Sequence, residues 1–404
     1  MPVERETGSP VTRTPRETRL AAMDGLRGLA IALVLATHSE GLVGELRSGE
    51  FSAARAFTIG GHTGVSLFFV LSGFLLVRPF LAEVHGGDRV DRRRYFAGRA
   101  LRILPLYAVA VALASIACAE RASDLLHGLP YLFFLQADPR WVTPLLPYSG
   151  AWWSLATEVE FYLLLPLLPA FASRPGALAL AVGGGAAAYG ALAAGWLSFP
   201  TPEDQFVAAH SVLGRAPLFL CGIAAAWIHD RHGAAIRGAV ERAGAAARAA
   251  SEVLSVGAVL ALGLLLRWVV AAPYLEREAL GWPAWHALER ALWAFLVLAV
   301  LLVPTALGRV LRSASLRFLG RISYPLFFVH TAVLIFGAEL IRTIRPEALA
   351  GWSAESIALL TPLLAAAIAV AALAHAAIER PALRWKARVT AGAMPEPSRF
   401  RRAA

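Results

Sequence analysis

Lysine is almost missing from this chain: Lys386 is the sole lysine among 38 basic residues in 404. Cysteine is nearly as scarce, with Cys118 and Cys221 the whole complement, both inside apolar runs. They form neither a CxxC pair nor zinc-type spacing, so a thiol redox motif, a disulfide framework and a cysteine-based metal site are not expected. Both read as packing residues. Charge of either sign is also sparse. Charged residues are 16% of the chain against 57% hydrophobic, and mean hydropathy is +0.58, the balance of a chain solvated by lipid rather than water. The net charge of +10 would suit nucleic acid if the arginines formed one soluble patch. They alternate with apolar segments instead, so the bilayer is the expected partner and nucleic acid is not. No apolar stretch with a cleavage site occupies the N-terminus, so a signal peptide is not expected. No internal repeat is visible, which weakens a transporter built on inverted repeats.

What the chain does have is a series of apolar segments near the ~20 residues that cross a bilayer as a helix. Ten are expected, at about 22–46, 60–82, 101–120, 151–171, 177–197, 210–229, 252–272, 287–306, 322–342 and 355–379. The fold class is therefore all-α, a polytopic membrane protein. The shorter, Pro-flanked 125–136 reads as a re-entrant or interfacial piece. Residues 1–20 read as a disordered cytoplasmic tail, 21–385 as one membrane domain and 386–404 as a basic cytoplasmic tail. With the N-terminus inside, 26 basic residues fall in inner segments and 7 in outer ones. That asymmetry places both termini in the cytoplasm and the protein in the inner or plasma membrane.

The first segment opens Asp24-Gly25-Leu26-Arg27-Gly28 and reaches His38. Eleven residues separate Arg27 from His38, about three helical turns plus ~20°, so both side chains share one face ~16 Å apart along the axis. A cation and an imidazole on one face of a membrane helix are costly unless they line a polar cavity. The alternative is that Arg27 snorkels to the headgroups and His38 bonds a neighbouring helix.

Further along, Gly61, Gly64 and Gly73 allow close helix packing, and Ser66 and Ser72 offer interhelical hydrogen bonds. Arg92-Arg93-Arg94 is followed by Arg99 and Arg102, three apart on one helix face. Arginine pairs match phosphate well, although positive-inside anchoring is the simpler reading. Trp152 and Trp153 suit an interfacial belt. Glu158 and Glu160 follow them into the apolar run. By depth Glu158 can meet His38, and a carboxylate that orients an imidazole makes a better base; pairing with a buried arginine is the structural alternative. Arg321-Ile322-Ser323-Tyr324-Pro325 leads to a second intramembrane imidazole, His330. His375 and Glu379 close the last segment, with Glu379 placed to pair with basic residues.

These motifs together resemble the acyltransferase family 3 membrane proteins, multi-spanning O-acyltransferases that modify sugars of surface polysaccharides, peptidoglycan and some antibiotics. The resemblance covers about 20–385. It rests on Arg27-x10-His38, Phe68-Phe69-x-x-Ser72-Gly73-Phe74, Arg99-x-x-Arg102-Ile103-x-Pro105-Leu106-Tyr107, Trp153-Ser154-Leu155-x-x-Glu158-x-x-Phe161-Tyr162, Ile322-Ser323-Tyr324 with His330, and Glu379-x-Pro381. The resemblance implies that His38 is an essential base and that Arg27, Arg102 and Glu158 are functional. Many relatives carry a C-terminal hydrolase-like domain that relays the acyl group. None is seen after residue 385, so direct transfer is expected.

The expected function is transfer of an acyl group from acyl-CoA to a hydroxyl of a carbohydrate or glycoside. His38 takes the hydroxyl proton, Glu158 or a neighbouring polar group orients the ring, and Arg27, Arg99 and Arg102 hold the donor phosphates. Ser72, Ser323, Tyr324 and His330 are the candidate substrate or oxyanion groups. Acyl-CoA is a co-substrate; no permanently bound cofactor and no metal is expected. Two other classes fit the same buried charges: a transporter of a lipid or acylated glycan, and a structural subunit of a polysaccharide-export assembly.

Overall fold

The structure, a computed structural model, describes residues 15–43, 53–138, 145, 148–174, 201–270 and 283–389, with isolated positions between 176 and 190. Every regular element among them is helical. The helices that position the site are α1 (Pro15–Val43), α2 (Ala53–Ile59), α3 (Thr63–Val84), α4 (Arg92–Cys118), α5 (Trp153–Leu164), α6 (Val212–Val270), α7 (Pro283–Leu302), α8 (Ala306–Leu311), α9 (Ala314–Arg321), α10 (Ser323–Ile344), α11 (Ala354–Ala374) and α12 (Arg380–Val389). Local chemistry sets several starts. Asp91 accepts from the Arg94 amide at 3.1 Å to cap α4, Thr305 from Gly308 at 3.1 Å to cap α8, and Ser353 from Ser356 at 3.0 Å to cap α11.

Among the described residues seven helices are long and apolar enough to cross a membrane, against ten expected spans. The difference has three parts. Segment 177–197 lies largely outside the described residues. Segment 287–306 is the 20-residue α7, which carries Glu289 and Arg290 in its first half. Segments 210–229 and 252–272 fall on two helices that meet at a kink at Gly244 within α6, so they form one helical stretch yet stay distinct as candidate spans. The Ala-rich stretch between those segments has high intrinsic helix propensity and is helical on both sides of the kink. Only Gly244 departs, at φ 67° and ψ −133°, a backbone region open in practice to glycine alone.

Two boundaries also move. α1 starts at Pro15, so residues 15–20 are helical rather than part of a disordered tail; residues 1–14 lie outside the described residues. Proline suits a first helical position because its missing N–H has no intrahelical partner there. At the other end 386–389 belong to α12, and 390–404 lie outside the described residues. Segment 125–136 folds as short turns around a buried Tyr131, whose backbone carbonyl accepts from the Tyr107 hydroxyl at 2.8 Å. Trp152, expected in an interfacial belt, is 1% exposed. It packs against Tyr107, Tyr131 and Phe328 with ring centroids 5.5–6.1 Å apart. Its large apolar surface is used in the core instead.

Glycines decide how the central helices cross. A Cβ on Gly28 would sit 1.9 Å from the Leu316 carbonyl oxygen, and one on Gly320 would sit 1.7 Å from that of Asp24. The Asp24–Gly28 motif is therefore the contact that seats α1 on α9 with backbones touching. α3 crosses α6 in the same way, with Gly73 against Phe219 and Gly222 against Val70. α1 also packs on α3 and α10, and α12 lies along α4. These crossings aim the Arg27 face of α1 at α3, α4 and α10.

Candidate active site

Arg27, Ser72, Arg99, Arg102, Glu158, Ser323 and Tyr324 line one cavity of about 120 Å³, walled by Val65, Phe68, Phe69, Leu155, Phe327 and Phe328. Seven of the residues singled out in the sequence thus meet, from five different helices. A second cavity of about 540 Å³ shares Arg27, Leu75, Leu76, Arg99 and Arg102 with the first and adds Asp24, Arg94, Arg321, His375 and Lys386. The first chamber is largely apolar beyond its arginines. The second is basic.

Each polar group in the first chamber has a defined partner. Glu158 Oε1 accepts from Ser72 Oγ at 2.8 Å and from Tyr162 Oη at 2.5 Å. Arg27 lies within electrostatic reach of Asp24, Arg102 and Glu158. Arg99 stands between the rings of Tyr95 and Tyr162, 6.0 and 5.7 Å from their centroids. Its Nε is buried and makes no hydrogen bond among the described residues. Arg102 forms an ion pair with Glu379 and lies 5.3 Å over the Tyr324 ring. Glu379 is 2% exposed and also accepts from His375 Nδ1 at 2.6 Å. A single π-helical turn, His375–Glu379, presents both side chains, an irregularity found mostly where function or packing requires it.

The three hydroxyls expected as oxyanion donors are engaged with the protein. Ser72 donates to Glu158, Ser323 to the Gly320 carbonyl at 2.9 Å, and Tyr324 to the Ile103 carbonyl at 2.8 Å. A hydroxyl has one proton to donate, so in this arrangement none of them offers it to a substrate.

His38 and His330 are brought together, but not with Glu158. His38 Nδ1 is 2.8 Å from the Val34 carbonyl and 3.4 Å from His330 Nε2. His330 Nδ1 is 2.9 Å from the Leu326 carbonyl. The rings meet edge-on with centroids 4.7 Å apart. A carbonyl can only accept, so both Nδ1 atoms carry protons. The His38 N–H then points between the Val34 oxygen and the His330 lone pair. That fixes the tautomer in which His38 Nε2 holds an unprotonated lone pair, with no carboxylate needed. The expectation that Glu158 orients His38 is corrected accordingly: its carboxylate is held in the first cavity by Ser72 and Tyr162. Neither histidine lines that cavity. Phe327 connects the two places, since it lines the cavity and its ring lies 6.1 Å from that of His330.

Sequence reasoning passed over Glu40, two residues beyond His38. It is 5% exposed and accepts from Trp352 Nε1 at 2.8 Å and Thr58 Oγ1 at 3.3 Å. Its signal was available, because a carboxylate this close to an intramembrane imidazole is itself unusual. Lys386 and Arg321 were passed over for the opposite reason. Their placement in the basic chamber depends on how α12 and α9 fold back, which no local pattern reveals.

The sequence model of an acyltransferase-domain family matches residues 20–376. The chain is 26% identical over 400 residues to acyltransferase MdmB of Streptomyces mycarofaciens, covering 92% of this chain and 93% of that protein. It is 28% identical over 169 residues to peptidoglycan O-acetyltransferase OatA of Listeria monocytogenes. It is 24% identical over 164 residues to O-acetyltransferase OatA of Staphylococcus aureus. Each OatA match covers 38% of this chain and 25% of the relative, so the shared part is about a quarter of those longer proteins. No solved structure matches the chain. A match across residues 20–376, joined to several membrane-length helices, shows that the chain belongs to the acyltransferase-domain family and is a multi-pass membrane O-acyltransferase.

Proposed function

We propose that this protein transfers an acyl group from acyl-CoA to a hydroxyl of a carbohydrate or glycoside, with His38 as the general base. The observation that carries the reading is the division of α1. Arg27 faces a basic chamber at one end of the helix, and His38 holds a tautomer-fixed lone pair ~16 Å further along. An anionic, extended thioester donor has that shape: phosphates at one end and a reactive carbonyl at the end of a long arm.

In the step proposed, Nε2 of His38 takes the proton of the acceptor hydroxyl as its oxygen attacks the thioester carbonyl. The tetrahedral intermediate collapses, the C–S bond breaks, and the departing thiolate receives the proton from the imidazolium. His330 supports the charged ring in between, because its Nε2 lone pair faces the Nδ1–H of His38. The apolar wall of Val65, Phe68, Leu155 and Phe328 suits the uncharged arm of the donor. The basic chamber reads as the cytoplasmic end, in line with the distribution of arginine along the chain, in the inner or plasma membrane. The O-acetyl transfer in the names of the OatA relatives makes acetyl the first acyl group to try, and a cell-wall or metabolite sugar the first acceptor.

The test is turnover of acyl-CoA by the purified protein in detergent, where no second compartment exists. Acceptor-dependent release of coenzyme A supports an enzyme. Its absence, with the protein folded, supports the transporter reading.

A further inference from the structure

α12 lies beyond residues 20–376, the part that the acyltransferase-domain family has in common with this chain. It nevertheless forms a wall of the larger chamber, because Leu383 and Lys386 line it. It packs along α4, the helix that carries Arg94, Arg99 and Arg102. Lys386 is half-buried there, within electrostatic reach of Arg99, Arg102 and Arg27.

Among the described residues that line this chamber, cations outnumber carboxylates. Its lining cations are Arg27, Arg94, Arg99, Arg102, Arg321 and Lys386, and its lining carboxylates are Asp24 and Asp91. Arg102 is held by Glu379, and Arg94 lies 3.5 Å from Asp91. A lining this rich in cations favours an anionic ligand. The buried Arg99 Nε without a hydrogen-bond partner is a second sign of a site built for an acceptor-rich ligand. The ion pair of Arg102 with Glu379 also alters the expected phosphate grip. Arg102 is bound to a carboxylate inside the protein and positions the wall, whereas Lys386 reaches the chamber from α12, which packs along α4.

We infer that Lys386 on α12 is a ligand for the phosphates of the coenzyme A donor, together with Arg99 in the same chamber. This rests on the acyl-CoA reading above. A lysine suits the place: its compact ammonium on a flexible stem binds phosphate as a point charge and needs no fixed fork geometry.

The experiment measures binding of free coenzyme A to the full-length protein in detergent, for wild type, Lys386→Gln, Lys386→Arg and Arg384→Gln. Arg384 is an exposed cation on the same helix and does not line the chamber. The expected result is roughly tenfold weaker binding for Lys386→Gln, as for loss of one charge-assisted hydrogen bond. Lys386→Arg should recover most of it and Arg384→Gln should match wild type. In turnover, the preference of Lys386→Gln for acyl-CoA over acyl-pantetheine, which lacks the phosphates, should fall by a similar factor. A merely structural role would not move that ratio. Equal binding by wild type and Lys386→Gln overturns the inference and leaves the donor reading standing. An equal loss in Arg384→Gln also overturns it, in favour of diffuse charge. If wild type itself binds no coenzyme A, the donor reading falls and the inference with it. If Lys386→Gln changes only the binding of phosphatidylglycerol added to the micelles, the anion is a lipid headgroup and the inference is wrong.

Discussion

His330 Nε2 faces the Nδ1–H of His38 at 3.4 Å, and both rings anchor Nδ1 on a carbonyl one turn back in their own helices. Two imidazoles from helices far apart in sequence therefore share one tautomeric state. His330 is fully buried and His38 partly exposed, which leaves His38 as the ring able to meet substrate.

From this pairing, His330→Phe should keep the fold but lower kcat by about tenfold to a hundredfold, less than the ~10²–10⁴-fold of a lost general base, because His330 acts on His38 and not on substrate. The donor KM should change little, since His330 does not line the basic chamber. Steady-state kinetics on the purified variant check both numbers.

Glu158→Gln keeps an acceptor oxygen for Ser72 and Tyr162 and removes the charge facing Arg27. Expression and thermal stability should stay near wild type while kcat/KM falls. A variant as active as wild type would mean that the carboxylate charge has no part in the reaction.

Breaking the ion pair between Arg102 and Glu379 should be structural first. Glu379 is 2% exposed, and removing one partner of a buried pair typically costs ~3–5 kcal/mol. Glu379→Ala should therefore lower the melting temperature of the detergent-solubilised protein sharply. Replacing both, as Arg102→Met with Glu379→Leu, should recover much of the stability but not the turnover.

The α1–α9 crossing gives a prediction free of chemistry. At Gly320 an added Cβ meets the Asp24 carbonyl oxygen at 1.7 Å, and backbone cannot give way as a side chain can. Gly320→Ala should cost at least the ~1–3 kcal/mol of an overpacked core, seen as loss of folded protein in the membrane. Gly176→Ala, where no atom lies within 4 Å, should be silent.

The fold class was legible because apolar length is a local property, and so was the Arg27–His38 face, which follows from helical period alone. The cavity set Arg27, Ser72, Arg99, Arg102, Glu158, Ser323 and Tyr324 was legible as a list, through motifs, but its internal pairing was not. Depth along two helices made Glu158 a plausible partner for His38. Rotation about the helix axes, set by the Gly73–Phe219 and Gly28–Leu316 contacts, gave Glu158 to Ser72 and Tyr162 instead. The helical arms that extend into 230–251 were hidden because charge marked that stretch as a loop, while its alanine content favours helix on either side of the kink at Gly244. Lys386 was invisible as a site residue, since its place depends on where α12 folds back.

The measurement that reaches the centre of this account is mass spectrometry of envelope glycans and glycosylated metabolites from cells producing wild type or His38→Ala at equal membrane levels. The account predicts an ester mass present with wild type and lost with His38→Ala. The same ester, at the same abundance, in both would contradict His38 as the base.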